Sequence, residues 1–201
     1  MRRTLSVMFS LIISLATLFV VDSAYAQIPA DQQLATVRLL LPEGAREHVE
    51  FILPSADGDV VHRAGDGEWI CRGDRPGDDR LNLSCYTRSA APFLERQREL
   101  VSQDIRGAAM REVLDQEARS GELQLPAYGL ELSASGSLGE DGTLPEEMSV
   151  YYLLYIPFAT AASIGVSDVA PEDPTVPYLH QAGTHESHIM WMQTVKLSAR
   201  E

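Results

Sequence analysis

Positive charge is scarce in this sequence. One residue of 201 is lysine, Lys196, and Lys and Arg together number 16 against 29 Asp and Glu, a formal charge of −13. That balance repels nucleic acid and anionic membrane surfaces and excludes both as partners. Cysteine is nearly as rare, with only Cys71 and Cys85, and no Cys-x-x-Cys redox motif occurs. Catalytic signatures are missing as well. There is no Gly-x-Ser-x-Gly elbow, no phosphate-cradling glycine loop and no dinucleotide fingerprint. The chain carries one long apolar run, Leu5 to Val21, so no second candidate for a membrane span exists.

That run has the layout of an export signal. Arg2 and Arg3 precede it, and Ala24-Tyr25-Ala26 follows as a small-x-small cleavage site. A short membrane helix is the alternative, and the small-residue exit favours cleavage after Ala26. Residues 1–26 are therefore expected to be a cleaved signal peptide, and residues 27–201 one domain of 175 residues, periplasmic or secreted. Losing Arg2, Arg3 and Asp22 would move the formal charge to −14. No stable membrane insertion is expected afterwards. In an oxidising compartment Cys71 and Cys85 should bridge, closing a polar 15-residue loop. A loop of that length contributes ~3 kcal/mol in the chain-entropy model.

Periodicity predicts an α+β fold. Residues 27–34 read as a loose polar arm and 35–41 (ATVRLLL) as a strand. Short β-rich runs follow at 47–53, 59–63 and 68–71, separated by Asp57-Gly58 and Asp66-Gly67, and read as an antiparallel meander. Trp69 and Cys71 alternate onto one strand face, which sets an indole beside the expected disulfide. From Ser89 to Gly121 an apolar stripe recurs near the helical period, with Ser89 as the expected cap and Gly121 as the stop. Ser102-Gln103-Asp104 and Gly107 are the points at which this segment would split into two helices. Strands return at 128–135 and 148–158, with one helical turn at 159–165 and a proline-rich acidic loop at 166–177. The expected architecture is an antiparallel sheet of short strands with one or two helices, about 90–120, packed on one face.

Two stretches, DGDVVHRAGDGEWICRG with CYTRSAAPFLERQREL, and SGELQLPAYGLELSASG, resemble a group of exported bacterial proteins of unknown function. YIPFATAASIG and AGTHESHIMWM are similar to closing segments of that group, where His, an apolar residue and Met recur. The resemblance spans about Gly58 to Met192. It implies no chemistry and directs attention to Trp69, the cysteines and His188.

The densest chemistry is HQAGTHESHIMWMQ, which holds three of the five histidines. Read as a strand, Glu186, His188, Met190 and Met192 share one face, and His185, Ser187, Ile189 and Trp191 the other. An imidazole with two thioethers is a soft ligand set suited to copper, and imidazole also suits zinc. His185 or His180 would complete the shell. Against this, methionines fill cores and a histidine at a core's mouth commonly makes one hydrogen bond. His180-x4-His185-x2-His188 matches no metal spacing, and His-Glu-Ser-His is one residue short of the zinc-helix motif. The acidic pairs Asp78-Asp79 and Glu146-Glu147 read as solvated and lack calcium-loop spacing. Arg72-Gly73-Asp74 reproduces an adhesion tripeptide and reads as coincidence. The leading expectation is a non-enzymatic cell-envelope domain, without catalytic residues or cofactor, that binds a small ligand or an envelope protein. The alternative is a copper or zinc protein, or metalloenzyme, centred on His188 with Met190, Met192, His185 and His180.

Overall fold

The computed structural model describes residues 28–197 apart from 56, 76, 78 and 140; the expected signal peptide lies outside the described residues. In chain order the elements are α1 (Ala30–Leu40), β1 (Glu50–Ser55), β2 (Gly58–Arg63), β3 (Trp69–Arg72), β4 (Arg80–Thr87), α2 (Ala91–Ser102), α3 (Gly107–Ser120), β5 (Gly129–Ser137), β6 (Glu147–Tyr155), α4 (Ala161–Ile164), β7 (Tyr178–His180) and β8 (His188–Lys196). The fold is α+β. One eight-stranded sheet runs in the order β2-β1-β3-β4-β5-β6-β8-β7. No helix among the described residues is long and apolar enough to cross a membrane.

The first departure from expectation is α1. Residues 30–40 are a helix, where an arm and a strand were predicted. Gln33, Leu34, Val37 and Leu40 are buried at helical spacing, Asp31 and Arg38 suit the two ends of the dipole, and Pro42 ends the run. Two polar residues, Gln33 and Thr36, occupy the buried face and hide its periodicity. Gln33 is wholly buried because it is fully used. Its Nε2 donates to the Ile28 carbonyl at 2.8 Å, and its Oε1 accepts from the Asp74 N–H at 2.7 Å. This one amide pins α1 to the turn after β3. Gly73 sits where a Cβ would meet Gln33 Oε1 at 2.6 Å and Leu53 Cδ2 at 2.7 Å. Arg72, Gly73 and Asp74 are all buried, so this tripeptide is not displayed for adhesion.

The second departure is strand direction. β1 and β2 form the expected hairpin, but β3 pairs with β1 in parallel, on the side away from β2. The meander is therefore corrected to a hairpin and a crossing. Asp66-Gly67 is not a hairpin turn; there the chain passes back across the start of β1. A side chain at Gly65 would collide with the backbone of Val49 and Glu50, which only glycine avoids. Arg88 clamps the crossing, donating to the carbonyls of Gly67 at 2.8 Å and Gly65 at 3.0 Å and to Glu50 at 3.0 Å.

α2 and α3 pack on one face, as expected, and α1, which was not expected, covers the other. The amphipathic segment after Ser89 divides as α2 and α3, Asp104 takes a positive φ at the break, and Gly121 closes α3 in the left-handed region. Ser89 is not the cap; its hydroxyl bonds the Tyr128 carbonyl at 3.2 Å. Phe93, Leu94, Leu100 and Leu114 pack over Ile70, Tyr86 and Tyr155 on the first face. On the second face Leu34, Val37 and Leu40 pack over Phe51, Leu83, Leu132 and the disulfide. Cys71 and Cys85 are directly opposed in β3 and β4, and Trp69 packs against their cluster.

Two measurements check this framework. Gln33→Leu keeps the volume but strands a buried N–H and a carbonyl, and is expected to cost about 1–3 kcal/mol in urea unfolding; unchanged stability would contradict the pin. Replacing both cysteines by serine should remove ~3 kcal/mol. For a chain of this size that lowers the melting temperature by roughly 6–12 °C in calorimetry.

Candidate functional site

Two regions carry the unusual chemistry. The first lies on the α2 face of the sheet, where a polar line crosses five strands. Tyr86 of β4 stands opposite Glu131 of β5, and Tyr155 of β6 stands opposite His188 of β8. His188 stands opposite His180 of the edge strand β7. Arg98, reaching down from α2, donates to the Tyr86 hydroxyl at 2.8 Å with its guanidinium over that ring. The Tyr155 hydroxyl donates to Glu131 Oε2 at 2.7 Å.

Burial governs the titration of this line. It raises the Glu131 pKa, against the Tyr155 hydrogen bond and the Arg98 charge, which lower it. It raises the Tyr155 pKa, and Glu131 adds to that shift. It lowers the His188 pKa below the ordinary 6.5; the Glu186 carbonyl pulls the other way, and His180 adds to the fall. His188 is 7% exposed. Its Nδ1 lies 2.6 Å from the Glu186 carbonyl, and a carbonyl only accepts, so the neutral ring holds its proton at Nδ1. The Nε2 lone pair then faces His180 Nδ1 at 3.3 Å.

The histidine-rich stretch is only partly the predicted strand. β8 begins at His188, and residues before it form a turn closed by Ser187, whose hydroxyl donates to Gln181 and Thr184. His180 and His188 come together. Met190 and Met192 follow His188 on the same strand face, both half-buried and opposite Leu153 and Tyr151. Glu186 is not part of that alternating row; its carboxylate accepts from Gln97 at 3.1 Å. His185 is 2% exposed, edge-on to Phe93, with Nδ1 3.5 Å from Asp115 and neither ring nitrogen hydrogen-bonded. Among the described residues no three His, Cys, Asp or Glu side chains form a group able to hold a metal ion, so His185 does not complete a shell with the pair.

The second region is a groove on the opposite face that sequence reasoning missed. It measures about 510 Å³ and lies between the end of α1 and strands β6 and β8. Leu39, Leu40 and Leu41 form one wall; Trp69, Tyr152, Trp191 and Val195 form the floor and the other wall. Tyr152 and Trp191 are opposed in register and stack with centroids 5.1 Å apart and planes 7° apart. Arg46 is the cation of the lining, tethered by Nε to the Leu41 carbonyl at 3.1 Å. Glu131 reaches the groove only through its main chain, because its side chain belongs to the Tyr86 face. The signal in the sequence was the placement of Trp191 on the strand face opposite the methionines. Without α1 recognised as a helix, no wall stood beside it. A larger cleft of about 930 Å³, beside α2, is lined by four arginines and three acids. Its Arg72 is held by Asp59 at 2.7 Å, and its Arg106 by Asp104 at 3.1 Å.

The sign of the pH effect at His188 follows from its lowered pKa. Its contribution to stability is complete above about pH 6.5 and is lost as the pH falls through the lower folded value. Urea midpoints of the native chain should therefore drop more between pH 7.5 and pH 5 than those of His188→Gln; equal slopes would contradict the neutral, buried imidazole.

No family model, no curated protein and no solved structure matches the chain.

Proposed function

We propose that this protein is an exported, non-enzymatic binding domain that takes a small amphipathic ligand, a planar apolar body with one acidic group, in the groove beside α1. The observation that carries the reading is the stacked Tyr152–Trp191 pair forming a wall of an open apolar groove. Both tryptophans of the sequence, Trp69 and Trp191, line it. Rigid aromatic walls with one polar handle are the composition of small-molecule sites. Arg46 supplies the handle and favours a carboxylate or sulfonate. The buried acid–base line of Glu131, Tyr155 and His188 lies on the other face, and in the groove burial raises the Tyr152 pKa and keeps its phenol neutral. The leader pattern of residues 1–26 and the disulfide between Cys71 and Cys85 both suit an oxidising envelope compartment.

Anilinonaphthalene sulfonate has the proposed chemistry, and the two tryptophans report on its arrival. The folded protein should bind it saturably at one site, with quenching of tryptophan emission and an unchanged near-ultraviolet circular dichroism spectrum. Trp191→Ala should abolish saturation. Arg46→Gln should weaken binding about tenfold, the equivalent of ~1.5 kcal/mol for a hydrogen bond to a charged group. Binding that ignores both substitutions would overturn the reading.

A further inference from the structure

We propose that His180 and His188 form a copper(I) site at the β7–β8 edge of the sheet, with the Met190 thioether as the third donor. The two rings are fixed by strand register, not by flexible loops. They are directly opposed, with centroids 5.0 Å apart and His180 Nδ1 3.3 Å from His188 Nε2. Two nitrogens held at about 2.0–2.1 Å from one ion, at the roughly 110–120° between adjacent ligands of a four- or three-coordinate centre, stand roughly 3.3–3.6 Å apart. The pair therefore already has the spacing of adjacent ligands.

The proton positions suit a metal as well. The Glu186 carbonyl holds the His188 proton at Nδ1, the outer-shell arrangement that orients a metal-binding imidazole and leaves Nε2 as the donor. His180 gives the bond in the metal-free pair. On binding, its proton moves from Nδ1 to Nε2, so the ring stays neutral and Nδ1 becomes the second donor. His180, on the edge strand, is partly exposed and gives the ion its way in.

The donor set selects the ion. Among the described residues no third His, Cys, Asp or Glu joins the pair, so a closed zinc tetrahedron or a carboxylate site is not assembled. Copper(I) accepts two imidazoles and a thioether, and thioether donors favour it over harder ions. Met190 stands two positions after His188 on the same strand face, opposite Tyr178 of β7. His188 is buried and His180 and Met190 are half-buried, and the cost of burying an ion rises with its charge, which favours a monovalent ion.

The test uses the tag-free protein, oxygen-free buffer and the copper(I)–bicinchoninate complex as the chromophoric competitor. One equivalent of copper should be withdrawn by the native chain. His188→Gln and His180→Gln should each lose that withdrawal, and Met190→Leu should weaken it without abolishing it. Near-ultraviolet circular dichroism confirms that each variant is folded. X-ray absorption should show nitrogen and one sulfur neighbour, the sulfur absent in Met190→Leu. The proposal is overturned if no copper is withdrawn, if the His180→Gln/His188→Gln double variant withdraws as much as the native chain, or if zinc(II) displaces copper(I) at equal concentration.

Discussion

An eight-stranded sheet has two apolar faces, and among the described residues the second is covered by an eleven-residue helix. The groove over β6 and β8 follows from how far α1 reaches. Gln33 fixes its position by bonding both Ile28 and Asp74, and the apolar side chains of the helix then close over β1, β3, β4 and β5. Beyond its C-terminal end, Tyr152 and Trp191 stay half-buried. Their stacking covers part of the deficit, since paired rings hide area from water that a lone indole would leave open. What remains is a groove and not a flat patch, because Leu39–Leu41 rise beside it.

The other face is covered more completely and carries the opposite problem. Two helices bury it, yet Glu131, Tyr155 and His188 place polar atoms there. Each has a partner: Tyr155 for Glu131, the Glu186 carbonyl for His188. A buried polar group costs little when its hydrogen bonds are made and much when they are not. The line thus persists as an ordered network, ending in two imidazoles at the one sheet edge that the proline-rich loop shields. Pro174 accepts from the Met192 N–H at 2.8 Å, and Ser167 accepts from the Leu179 N–H at 2.7 Å. That loop protects the edge from pairing with another chain.

Much of this was legible in the sequence where local chemistry decides structure. The α2–α3 pair was readable because its stripe is purely apolar and Gly121 provides a left-handed stop. Strand β5 announced itself by alternation, β6 by its continuous apolar run, and the disulfide by compartment and count. α1 was illegible because Gln33 and Thr36 interrupt its buried face with polarity, satisfied for Gln33 by Ile28 and the distant Asp74 and for Thr36 by the Gln32 carbonyl one turn back. The parallel β1–β3 pair was illegible because direction is a non-local property; Asp66-Gly67 has turn chemistry, and only the backbone beneath Gly65 shows that it marks a crossing. For the candidate site, alternation alone put His188 and the methionines on one face, while the His180 contact needed the register of β7. The groove needed a helix that periodicity had hidden.

The central claim is that α1 leaves a binding groove over β6 and β8. Hydrogen–deuterium exchange with and without saturating anilinonaphthalene sulfonate tests it most directly. The account requires added protection confined to the groove lining, residues 39–46, 69, 130–132, 150–154 and 189–195. Protection concentrated instead in residues 92–106, beside the arginine-lined cleft, or faster exchange throughout the sheet, would contradict it.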